Sequence, residues 1–297
     1  MSTAIDSPQA KKVEEWEQLV LQLEQSGNIK SALKIYRSEI QKKPNNPEIK
    51  YKYAFCCVRA KKVNKAIDLL YEILKEDNTY SEAMDLLGKL LLYKGCQCGS
   101  KGWFTAFEAA QLYLVIRSIK NPAPVIVELG SCFGLSSMII ATALADKPDA
   151  RIYCVDAWEG DGSSVFGETR DFIKNEAESG REFFDLFKKN MQAAGVLEQL
   201  TPVQGYTTEV VKKWQEEADL VFVDADHSYE GVRSDVRDWK KFVKINGHIL
   251  MHDVDLIEAG SEKDSGPGLV VKEFLGADSN FKPGDLVDTL YYAERIA

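Results

Sequence analysis

The sequence predicts an α/β protein in which an open, doubly wound parallel sheet follows an all-α N-terminal region. Three observations predict it. Short strand-like segments at 125–127, 151–156, 201–205, 219–224 and 248–253 alternate with stretches of helical period, the pattern of a parallel sheet with right-handed crossovers. Residues 11–95 hold only helix-period segments. The first apolar run leads directly into Gly130, Gly134 and an apolar helix, so that a strand, a glycine turn and a helix N-terminus come together.

Residues 1–10 read as a disordered tail. Between 11 and 95 the chain matches itself at a period of 34: Gly27, Lys61 and Gly95 align, as do Ala32 with Ala66, Tyr36 with Leu70, and Ala54 with Gly88. Small residues at those points let paired helices approach closely, and Pro44 ends the first repeat. About two and a half repeats of tetratricopeptide-like spacing fit the segment. Two readings of it stay open: a groove for a peptide or a second copy, and a helical cap on its neighbour. Residues 96–102, with Gly99 and Gly102, read as a linker to a second domain at 103–297.

In that domain, Trp103 to Lys120 has helical period, and Pro122 and Pro124 forbid helix just before Val125-Ile-Val. Leu135 to Ala145 is the helix after the glycine turn. The second strand, 151–156, ends on Asp156, where a βαβ unit places a carboxylate for ribose hydroxyls. A glycine-containing loop from Ala157 through Asp161 follows. Glu182 to Ala194 reads as a helix, and Val232 to Val243 as another. Asp224 ends the fourth strand, and His252-Asp253 ends the fifth. Neighbouring strands lie about 5 Å apart, so these acids would cluster at the carboxyl ends, where such sheets bind ligands. His248 reads as a strand-start residue of no functional weight.

Composition bounds the function. The chain has 297 residues, with 45% apolar and 28% charged, as in a soluble globular protein. No apolar run reaches the length of a membrane span and the polar N-terminus is not that of a signal peptide, so a cytoplasmic protein without a membrane partner is expected. The six cysteines lack zinc-site spacing and read as reduced. A net charge of −9 speaks against a nucleic-acid partner.

From Trp103 to about Leu275 the sequence resembles class I S-adenosylmethionine-dependent methyltransferases, and most of all metal-dependent small-molecule O-methyltransferases of the catechol, cephamycin and macrolide-sugar type. The resemblance is carried by Glu128-Leu-Gly-x-x-x-Gly-x-Ser136, Asp156-Ala-Trp-Glu-Gly-Asp161, Asp219-Leu-Val-Phe-Val-Asp-Ala-Asp-His-Ser-Tyr-Glu230 and Gly247-His-Ile-Leu-Met-His-Asp253. It implies a Rossmann-like methyltransferase sheet that binds S-adenosyl-L-methionine. Glu128, Gly130, Ser131, Cys132 and Ser136 would take the methionine part, Asp156 the ribose, Ala157 and Trp158 one side of the adenine, and Tyr206 and Thr207 the other. Asp224 would face the cofactor's amino group and, with Asp253 and His252, ligate a divalent metal. His227 would be the catalytic base beside Asp224.

One position departs from the family pattern. Magnesium-binding relatives usually carry a carboxylate where this chain has His252. The imidazole leaves open a weakened magnesium site, a softer ion such as manganese, or no metal. The expected activity is methylation of a hydroxyl on a small molecule, a sugar or a natural product. The alternatives are a protein methyltransferase that uses the repeats to hold its substrate, and a repeat-based interaction protein with an inactive cofactor-binding domain.

Overall fold

Helices of the N-terminal region follow the 34-residue period closely. They are α1 (Glu15–Gln25), α2 (Ile29–Lys42), α3 (Pro47–Arg59), α4 (Val63–Leu74) and α5 (Ser81–Cys98). The starts of α2 and α4, and those of α3 and α5, are each 34 residues apart. Gly27 and Lys61 turn the chain with φ of 76° and 58°. Lys61 accepts a left-handed conformation that disfavours a side chain by about 1–2 kcal/mol. Ala32 and Ala66 are fully buried, and Tyr36 stacks on Tyr53 at 5.8 Å between ring centroids. The third aligned position is not a turn. Gly95 lies inside α5, where a Cβ would stand 2.4 Å from the Leu135 side chain, and the helix continues through part of the expected linker to Cys98.

The computed structural model describes residues 14–159, 182–254 and 266–297. The expectations for the N-terminal tail and for Asp161 lie outside them. The chain divides into two compact units, Met1–Ala83 and Met84–Ala297.

In the second unit α6 (Ala106–Ser118) precedes β1 (Val125–Leu129), α7 (Leu135–Ala143) and β2 (Arg151–Asp156). Then come α8 (Phe183–Ala194), β3 (Leu200–Gln204), α9 (Thr207–Val210), β4 (Ala218–Val223), α10 (Tyr229–Trp239) and β5 (Val243–Met251). A short helix, α11 (Gly266–Val270), leads to β6 (Phe281–Val287) and β7 (Leu290–Arg295). The sheet order is β3-β2-β1-β4-β5-β7-β6. The first five strands are parallel as expected, and the chain order reverses between β1 and β4.

Two features correct the sequence reading. The sheet is mixed, because β7 pairs antiparallel with β5 and β6 with β7. β6 carries Pro283 and Gly284, which weaken its strand pattern and suit an edge position. β5 also begins earlier than expected: the Asn246-Gly247 pair sits within the strand, with Asn246 at φ 63° beside a register shift. His248 is therefore mid-strand and half-buried, near Tyr292. The sheet's inner strands are buried almost throughout, with Trp239, Phe222 and Phe133 among the largest enclosed side chains.

Candidate active site

The register of β1, β4 and β5 brings their carboxyl ends side by side, with Leu129 opposite Val223 and Val223 opposite Met251. The next residues, Gly130, Asp224 and His252, therefore leave the sheet together. Gly130 has φ 86°, and a Cβ there would lie 2.2 Å from the Asp224 carbonyl oxygen. No other residue fits that approach.

Asp156, at the end of β2, closes the glycine turn. Its Oδ2 accepts hydrogen bonds from the Ser131 and Cys132 amides, both at 2.8 Å, and its Oδ1 accepts one from the Trp158 amide at 2.6 Å. A carboxylate offers roughly four acceptor directions, so one remains for a ligand in this arrangement. Cys132 and Trp158 both have positive φ, 45° and 47°, and Asp253 stands at 54°. Strain of this kind gathers where surrounding contacts impose it, typically at functional sites.

Behind the turn, Glu128 is fully buried and its Oε2 accepts from the Ser131 and Ser137 hydroxyls at 2.6 and 2.5 Å. Burial pushes its pKa up, against the opposing pull of those serines and of Ser136. Ser136 lies almost buried in the first turn of α7. That helix has Gly134 as its N-cap and no side-chain cap, which leaves its first amides for an anion. Together the carboxylates of Asp156 and Asp224 and these uncapped amides form a donor and acceptor set that fits the hydroxyls, ammonium and carboxylate of S-adenosylmethionine.

The expected adenine flank is arranged differently on its two sides. Trp158 is buried, its ring against Phe184 and Phe187 at 4.7 and 4.9 Å and its Nε1 donating to the Cys132 carbonyl. Ala157, beside it, is half-buried. Tyr206 is exposed and its hydroxyl donates to Glu159 at 3.2 Å. Thr207 Oγ1 donates at 2.5 Å to Asp235 on α10. Sequence reading missed Asp235, a buried carboxylate that burial raises to about 6.

Past β4 and β5, carboxylates alternate with imidazoles. His227 Nδ1 lies 3.1 Å from Asp253 Oδ2, and its Nε2 lies 3.6 Å from Asp224 Oδ1. His252 Nδ1 lies 3.3 Å from Asp224 Oδ1 and 3.7 Å from Asp253 Oδ1, while its Nε2 lies 3.5 Å from Glu108 Oε2 on α6. Asp224 is held below the usual carboxylate range: burial opposes this, but the charge of His252 and the contact with His227 prevail. His227 is raised, chiefly by the neighbouring Asp224 carboxylate. His252 is raised to about 11, because Asp224 and Glu108 outweigh burial.

Asp224, His227 and Asp253 each offer a ligand atom within 4.8 Å of the others, so among the described residues they can hold a metal. This set differs from the expected one by a single residue, His227 standing where His252 was foreseen. Two oxygens and one nitrogen suit a borderline ion such as manganese better than magnesium.

Fold and site together define a doubly wound domain with a row of acids at the carboxyl ends of its strands. Residues 127–254 match the family model for a methyltransferase domain, and residues 23–90 match that for a tetratricopeptide repeat. A methyltransferase domain and an N-terminal tetratricopeptide-like region are thus joined in one chain. Among solved structures it resembles the O-methyltransferase NovP at TM-score 0.52 and 14% identity, over 79% of this chain and 100% of that one. It also resembles the O-methyltransferase TomG from Streptomyces achromogenes, involved in tomaymycin synthesis and bound to SAM, at 0.50 and 17% identity, over 70% and 90%. Cofactor-bound Rv0187 from MTB gives 0.50 and 16% identity, over 70% and 88%. At such identities the likeness is one of fold. No described helix is long and apolar enough to cross a membrane.

Proposed function

We propose that the chain methylates a hydroxyl of a small molecule, with His227 accepting the hydroxyl proton. The observation that carries this reading is the unequal hold on the His227 ring. Asp253 lies 3.1 Å from Nδ1, whereas Asp224 stands off Nε2 by 3.6 Å. The closer carboxylate orients the imidazole, and the looser nitrogen is the one an acceptor can reach, the arrangement of an oriented general base. His227 is also half-exposed, as a group that meets substrate must be.

S-adenosylmethionine, when bound, supplies the electrophilic methyl group. Asp156 would hold its ribose, the amides opening α7 its carboxylate, and Asp224 its ammonium. A divalent cation would be held by Asp224, His227 and Asp253, and it would supply activation by lowering the pKa of a hydroxyl bound to it. The base and ligand roles of His227 exclude each other, so a cation-loaded enzyme and a His227-based one are separable.

The test uses methyl-labelled cofactor, a panel of sugars, catechols and other hydroxylated natural products, and a protein extract. Label is expected in a small molecule, and His227→Ala should lower turnover by about 10²–10⁴ with cofactor affinity kept. Label that enters only polypeptide would favour a protein acceptor held by the helical repeats instead. Full turnover in His227→Ala would refute the base.

A further inference from the structure

We propose that His252, packed against Glu108 and Phe104, is the positioning residue of this site: it fixes the Asp224 carboxylate from behind and takes the place of a third metal-binding carboxylate. The inference rests on Asp224 being the site acid of the reading above.

The chain of constraint starts at α6. Thr105 and Glu108 form a capping box, in which the Thr105 amide donates to Glu108 Oε2 at 2.7 Å and the Glu108 amide donates to Thr105 Oγ1 at 3.1 Å. Glu108 Oε1 accepts two more bonds, from the Thr289 amide at 2.8 Å and its hydroxyl at 2.6 Å. Three donors on a side chain only 2% exposed leave Glu108 no freedom to rotate. His252 Nε2 packs 3.5 Å from its Oε2, without a hydrogen bond between them.

The imidazole is held on its face as well. Phe104 stacks on it with 4.5 Å between centroids and 21° between planes. The His252 side chain is 3% exposed, so it has no room to swing into solvent. Both ring nitrogens face carboxylate oxygens, Glu108 behind and Asp224 with Asp253 in front. A metal ligand must turn a lone pair toward the ion, and a nitrogen set against two carboxylate oxygens is placed as a donor instead. The ring thus braces Asp224 and Asp253 from behind without requiring a metal, and it offers no oxygen to a hard cation.

The experiment titrates magnesium chloride alone into the full chain by calorimetry at fixed pH, for wild type, His252→Asp and Glu108→Gln. Nitrogen-15 spectra of the histidine rings and S-adenosylhomocysteine binding accompany each titration. His252→Asp should bind magnesium about 10–100-fold more tightly than wild type. Glu108→Gln should move the His252 ring-nitrogen resonances. Magnesium affinity no greater in His252→Asp than in wild type would overturn the proposal, as would unmoved His252 resonances in Glu108→Gln. Should His252→Asp not fold, Thr289→Val, which removes one donor to Glu108, must shift the same resonances or the proposal falls. None of these readouts requires an acceptor, so failure to methylate a small molecule would leave them independent.

Discussion

Replacing Asp156 by alanine should damage the apo protein as well as its cofactor binding. The carboxylate accepts three backbone amides, from Ser131, Cys132 and Trp158, at 2.8, 2.8 and 2.6 Å. Two of those residues, Cys132 and Trp158, are held at positive φ. Removing the acceptor leaves three donors without a partner around a strained turn. One lost bond to a charged group is worth about 1.5–3 kcal/mol, and water reaching this half-buried position would replace part of the loss. A total near 3 kcal/mol follows, which lowers Tm by roughly 6–12 °C in a unit of this size. Asparagine should rescue little, because its amide would point a donor at one of the same N–H groups. The assay is thermal melting with and without S-adenosylhomocysteine. Asp156→Ala is expected to lose both intrinsic Tm and the ligand-induced rise. A variant that melts within a degree of wild type while losing only the ligand response would show that the turn does not depend on the carboxylate.

Two further outcomes concern protons. His227 is raised above its ordinary value, mainly by Asp224. A base must be unprotonated, so kcat/KM should rise with pH through a midpoint above about 6.5, the free imidazole value. A midpoint below that would remove His227 from the role. Asp235 is raised by burial to about 6, so the native state binds its proton more tightly than the unfolded chain. Its contribution to stability is then greatest below about 3.8, the unfolded value, and declines as pH rises toward 6. Asp235→Asn keeps an acceptor for Thr207 without the buried charge, and at pH 7–8 it should gain stability on the order of 1–3 kcal/mol in urea unfolding. A loss there would mean that the ionised carboxylate is stabilised by something other than Thr207.

What could be read from sequence was what local chemistry determines. Apolar runs located β1 and β4 to within two residues, since a fully buried parallel strand needs an unbroken apolar segment. Gly27 and Gly130 marked turns because both stand at positive φ. Lys61 shared the register of Gly27 but not its residue type, and only the period revealed it. The β6–β7 hairpin escaped because Pro283 and Gly284 interrupt its pattern, and its place beside β5 is set by pairing rather than by composition. Asp224, His227 and Asp253 were found together because adjacent parallel strands bring their ends together whatever the side chains do. The direction of the His252 ring was not legible, since Phe104 and Glu108 set it from a helix that comes far earlier in the chain.

Glu108 shows why such a residue is missed and how it could be found. A threonine followed three residues later by glutamate announces a helix start, and that reading uses only one carboxylate oxygen. On an exposed helix, water satisfies the other. α6 instead is buried along Ala109, Ala110, Leu112, Tyr113, Val115 and Ile116, and it takes Glu108 inside with them. A buried carboxylate is costly unless every acceptor direction is filled, so the second oxygen must find donors from elsewhere in the fold. Here Thr289 supplies two, and His252 faces the cap oxygen. The capping box at the head of an apolar helix is thus itself a sign that a distant donor exists. In this protein that donor is Thr289, and the histidine that stands against the site's central acid packs beside the same carboxylate.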